Sequence, residues 1–181
     1  TALLRAGFRN IRGVIHHQSE GFDQGMPTDL AFRARFASNV SADTPALIAV
    51  QRDTLTYWQG AEKVAVLKNV QLLSEDELEP FGVEQPVVPV QLVGDGTTQL
   101  LVWRSVKTTR GDTLYKVTLY QIVGRYFSKT FDQTLARRDK DATQLTHTAR
   151  LEVSQGKKHA TLSITPFDAK GQLLTQQRQR F

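Results

Sequence analysis

The sequence predicts a mainly β chain, all-β or α+β, arranged as an antiparallel β-sandwich or barrel-like sheet with one or two short helices. Three observations predict it. Apolar residues recur with period two through much of the later chain. The runs are short and separated by Gly-, Pro-, Asn- and Asp-containing clusters. No strand–helix–strand alternation appears, which disfavours Rossmann and TIM architectures.

Taken in order, Leu4, Phe8, Ile11 and Ile15 stand at helical spacing, with Arg5, Arg9, Arg12 and His16 beside them as a basic stripe. A helix is expected there, although Gly7 and Gly13 oppose it. Residues 19–29 have loop composition. Leu30, Phe32, Ala34 and Phe36 then alternate with Arg33 and Arg35, the pattern of a half-buried strand with two outward arginines. Ala46–Gln51 and Thr54–Trp58 form a hairpin around Arg52-Asp53, and Glu62–Leu72 adds another strand. Ser74-Glu-Asp-Glu77 has the form of a capping box, stopped within about two turns by Pro80 and Gly82. Pro86 and Pro89 place the next extended piece at a sheet edge or in a linker, because proline cannot donate to a ladder.

Gln99–Lys107 and Thr113–Phe127 are expected strands joined by the turn Thr108–Asp112, with Gly124 as a bulge or bend in the second. Residues 128–142 are polar and are expected as a short helix or an exposed loop. Leu145–Ser154 and His159–Pro166 flank Gln155-Gly-Lys-Lys158, and a last strand follows over Gln172–Phe181. The 181 residues suit one domain, with a sub-boundary in the Pro-rich stretch 80–90.

Cysteine is absent, which excludes disulfides, thiolate nucleophiles and Cys-based metal sites. No apolar run approaches the roughly 20 residues of a membrane-spanning helix. A formal charge of +5 is spread along the chain and serves solubility before it suggests a partner. Residue 1 is Thr and the single Met is residue 26, so a preceding segment is expected to have been removed.

The chemistry-bearing residues do not converge. His16-His17 are adjacent, so their side chains diverge and chelate one ion poorly, with Asp23 the nearest third ligand. His147 and His159 fall on two arms of one hairpin, with His159 opposite about Val153 and so roughly 20 Å from His147. Gly94-Asp-Gly96 lacks the third glycine of a dinucleotide loop. Asp139-Lys-Asp141 lacks the Gly and distal Glu of a calcium loop. Arg110-Gly-Asp112 matches an adhesion tripeptide, a common sequence at turns. Asn39-Val-Ser41 matches a glycosylation acceptor, meaningful only in a eukaryotic secretory context. The face shared by Phe181, Gln179, Gln177 and Thr175 is too polar for a lipid-facing strand. No serine-hydrolase elbow, P-loop or zinc-protease motif occurs, and neither a cofactor nor a metal is expected.

The expected function is therefore a non-catalytic binding or assembly domain of the bacterial cell envelope. It would be periplasmic or otherwise extracytoplasmic, with a cytoplasmic location the alternative. It would meet protein partners through a sheet edge or exposed loops. Three other readings stand beside it. One is a barrel or sandwich holding a small ligand against Thr113–Phe127. Another is an enzyme with a dispersed site at His16, His17 or Asp23. The last is a nucleic-acid-binding domain. In it Arg33, Arg35, Arg104 and Arg125, with Lys107 and Lys116, would join Trp58, Trp103, Tyr115 or Tyr126 in a basic, aromatic platform.

Overall fold

The computed structural model of the chain describes residues 30–37, 46–92, 95–145, 147–155, 160–166 and 177–180. The expected helix over 4–18 lies outside these residues, as do His16, His17, Asp23, the acceptor Asn39-Val-Ser41, Gly94, His159 and Phe181.

The described fold is almost entirely antiparallel β. Strands β1 (Leu30–Arg33), β2 (Ala46–Gln51), β3 (Thr54–Gln59) and β4 (Glu62–Leu67) form one four-stranded sheet in sequence order. Its rows run straight across except where β4 slips against β3 between Tyr57 and Trp58. Phe32 pairs with Ile48, Ile48 with Tyr57 and Tyr57 with Ala65, so the apolar residues of four strands share one face. The parallel row Leu30, Val50, Leu55 and Leu67 lies on the same side. Two-residue turns at Arg52-Asp53 and Gly60-Ala61 join β2 to β3 and β3 to β4. Asp53 at the first turn holds the chain beyond β4, accepting from Leu72 N at its Oδ1 and from Val70 N at its carbonyl, both 3.0 Å.

Helix α1 (Glu75–Leu78) and a 3-10 turn (Glu79–Phe81) follow. Ser74 caps α1, and its backbone N–H donates to Glu77 Oε2 at 3.0 Å, the reciprocal bond of the expected capping box. Gly82 ends the turn at φ +66°, a conformation only glycine adopts without strain.

The second sheet has seven strands: β5 (Val87–Val90), β6 (Gln99–Lys107), β7 (Thr113–Val123), β8 (Tyr126–Arg138), β9 (His147–Gln155), β10 (Ala160–Pro166) and β11 (Gln177–Arg180). β5 is an edge strand, where the Pro89 nitrogen is tolerated. β9 and β10 pair with Leu162 opposite Val153, a register three residues from the expected one.

Two expectations fail in this sheet. Gly124 is not a bulge in one long strand. It opens a two-residue turn, Gly124-Arg125, with φ +59° at the first position as a type II′ hairpin requires. Residues 126–138 are accordingly neither helix nor loop but the thirteen-residue strand β8. Its register against β7 slips at Tyr115/Lys116 and at Leu119/Tyr120, so its inward side chains change parity twice along the strand.

The central strands β6 and β7 are buried on both faces. Leu100, Val102, Tyr120 and Ile122 pack against the four-stranded sheet with Phe32, Ile48, Leu55 and Tyr57. Leu101, Trp103, Tyr115, Val117 and Leu119 face a second core with Leu73, Leu78, Val90 and Leu151. That double burial explains the unbroken apolar run Leu100–Trp103. β8 and β9 share only two register pairs, and Leu151 of β9 joins the second core.

Candidate interaction surfaces

The register sorts the expected platform residues onto different surfaces. Trp103 and Tyr115 are 1% and 2% exposed, on the face of the sheet opposite Arg104. Their alternation in sequence sends odd positions of β6 and β7 into the second core and even positions the other way. Neither ring is available to stack on a base, so a single basic, aromatic platform is not assembled from these residues. Trp58 is half-buried on β3, with the Lys63 ammonium 5.7 Å from its ring centre. Arg33 and Arg35 are both exposed, but β1 ends at Arg33. The Arg35 carbonyl accepts from Thr98 N at 2.6 Å and its Nη1 donates to the Asp95 carbonyl at 3.3 Å, which ties it to the turn before β6. Arg125 sits at the β7–β8 turn and pairs with Glu62 at the start of β4 at 2.5 Å.

The tripeptide Arg110-Gly-Asp112 does occupy a turn, but its carboxylate is committed internally. Asp112 Oδ2 accepts from Arg137 Nη2 at 2.6 Å, and Oδ1 accepts from Lys140 N at 3.2 Å. An adhesion motif needs that carboxylate presented to a partner. Here it fastens the 108–112 turn to the end of β8. Asp139 likewise pairs with Arg137, at 2.8 Å, and among the described residues no three His, Asp or Glu side chains gather to hold a metal.

Two surface features remain that the sequence alone did not assemble. The first is a charged cluster on the even face of the seven-stranded sheet, beside the rows that meet the smaller sheet. Arg104 on β6 lies opposite Lys116 on β7, and Thr118 lies opposite Asp132 on β8. Asp132 Oδ1 accepts from Arg104 Nη2 at 3.0 Å and from Thr118 Oγ1 at 2.7 Å. Asp132 Oδ2 accepts from Lys116 Nζ at 2.5 Å, and Lys129 Nζ stands 3.5 Å from the same oxygen. Arg104 Nε also donates to Thr118 Oγ1 at 2.8 Å. Burial pushes the Asp132 carboxyl up, but the bonds from Lys116, Thr118 and Arg104 outweigh it and hold the group well below the ordinary carboxylate range. Lys116 was expected on this surface from the sequence. Thr118, Lys129 and Asp132 were not, since only the strand register of β8 brings them together.

The second feature is the β7–β8 hairpin tip. Val123 and Tyr126 are cross-strand partners beside the turn, 50% and 76% exposed, and Val66 is the one other exposed large apolar residue among those described. An isolated exposed Val is ordinary, but a tyrosine this open beside an open valine is a small apolar knob at the end of a long hairpin.

No protein-family model matches the chain, and no curated protein and no solved structure is significantly similar to it. No helix among the described residues is long and apolar enough to cross a membrane.

Proposed function

We propose that this chain is a non-catalytic binding or assembly domain that acts through protein–protein contacts made by the β7–β8 hairpin tip. The exposed Val123–Tyr126 pair carries the reading. Tyrosine is among the residue types that dominate interface energetics, combining a large apolar ring with a polar end. The tip is also held in place. Arg125 is paired with Glu62 of β4, and the adjoining Tyr120 and Phe127 rings meet edge to face at 6.4 Å. A presented knob on a rigid hairpin loses little conformational freedom on docking.

The double variant Val123→Ser/Tyr126→Ser tests the assignment. Both positions are open, so the fold is expected to keep its stability within about 0.5 kcal/mol. Pull-down from extracts of the source organism should lose the proteins that the unaltered chain retains, with the thermal midpoint unchanged. Equal retention by both chains contradicts the assignment.

A further inference from the structure

We infer that the cluster Arg104, Lys116 and Lys129 is a binding site for a phosphate or sulfate group. Three cations surround the single carboxylate of Asp132, which leaves two positive charges uncompensated within the cluster. Mutual repulsion of cations on adjoining strands is unfavourable, and cross-strand like charges facing one another destabilise a sheet. Arg104 and Lys116 form such a pair directly across β6 and β7.

The hydrogen-bond inventory points the same way. Asp132 accepts three bonds, from Arg104, Thr118 and Lys116, with Lys129 3.5 Å from Oδ2, so most of its acceptor capacity is already taken. Among the described residues, Arg104 Nη1 and the remaining N–H groups of Lys116 and Lys129 have no acceptor. Arg104, Lys116 and Asp132 are only 17%, 18% and 18% exposed, where screening by water is weaker than on the open surface. Lys129 is half exposed and stands at the solvent side of the group. An oxyanion set against these donors would take the place of water as their acceptor and offset the excess positive charge.

The observations favour the charged group over a nucleic acid. Trp103 and Tyr115 lie on the opposite face of the same strands, so no ring among them stands ready to receive a base beside these cations. The group therefore reads as a receptor for the oxyanion, whether it comes as a free ion or on a lipid headgroup.

Isothermal titration with sodium phosphate and sodium sulfate, against sodium chloride at matched ionic strength, tests the site in the full chain. Saturable binding that chloride does not reproduce is expected. Lys129→Gln, at an exposed position, should weaken it about tenfold, the loss of one charge-assisted contact. Asp132→Asn should strengthen it by removing the resident carboxylate. Phosphatidylcholine vesicles with and without phosphatidylglycerol separate the sources. Retention only on the anionic vesicles, reduced by Lys129→Gln, assigns the group to a headgroup. The inference is overturned if neither salt nor vesicle binds beyond the chloride control, or if Lys129→Gln binds like the unaltered chain. Binding of a single-stranded oligonucleotide without any binding of phosphate, sulfate or anionic vesicles overturns it as well. None of these results depends on Val123 or Tyr126, so the hairpin assignment stands or falls separately.

Discussion

Trp103→Ala is expected to lower the free energy of unfolding by about 3–5 kcal/mol, read as a fall in the urea midpoint with little change in slope. Small domains have about 5–15 kcal/mol in total, so this single change removes a large share. Trp103 is 1% exposed at the centre of the second core. It pairs across the sheet with Val117, and Leu73 of the chain before α1 is bonded to its backbone, with Leu73 N donating to the Trp103 carbonyl at 3.2 Å. The core therefore includes groups from outside the sheet, which cannot all close on the space an indole leaves. The indole Nε1 has no hydrogen-bond partner among the described residues. Trp103→Phe keeps most of the ring and deletes that unpaired donor, so it should cost distinctly less than Trp103→Ala. A loss below about 1 kcal/mol for Trp103→Ala would place the side chain outside the core.

Asp132→Ala is expected to cost about 3 kcal/mol at neutral pH, at the lower end of the range for breaking a buried charge pair, since Asp132 is still partly wet. The reason is the company it leaves. Arg104 and Lys116 would face each other with no anion between them. The pH dependence follows with a definite sign. The folded carboxyl is held below its ordinary value, so the unfolded chain binds a proton first as pH falls. Its contribution is complete above the unfolded value near pH 3.9, and fades as pH drops from about 4 toward the lower folded value. Urea midpoints measured at about pH 7, 4 and 3 should decline for the unaltered chain on that limb. Asp132→Ala should start lower and decline less steeply. Parallel curves for the two chains would show that Asp132 does not carry this dependence.

The parts of the fold fixed by local chemistry were legible in the sequence. Ala46–Gln51 and Gln99–Lys107 are strands with the expected limits, because unbroken apolar or alternating runs end there at turn-forming residues. The Ser74–Glu77 box needs only a four-residue window. Pro89 signalled its edge strand by what it lacks, a backbone N–H. β8 was not legible. Two bulges against β7 break its period, and Lys129 and Asp132 occupy a sheet face where a simple pattern calls for apolar residues. The same blindness hid the charged cluster, whose members come from three strands and meet only through register. Arg104 and Lys116 were visible as basic members of one platform, but the carboxylate they share was not. Trp103 and Tyr115 show the opposite error. Aromatic character made them attractive as binding residues, whereas burial of both faces of β6 and β7 makes them core.

The hairpin tip was half visible. Tyr126 stood out as an aromatic near basic residues, but reading Gly124 as a bulge placed Val123 inside a strand and gave the tip no existence. Once Gly124-Arg125 is a turn, the two exposed side chains become neighbours at the end of a supported projection. A photo-reactive phenylalanine analogue at position 126, introduced in the source cells, measures most directly whether that projection meets a protein. Discrete adducts are expected from position 126, and they should be absent when the same probe replaces Arg110, exposed at the turn on the other end of β7. Adducts of equal yield from both positions, or from neither, would contradict the contact.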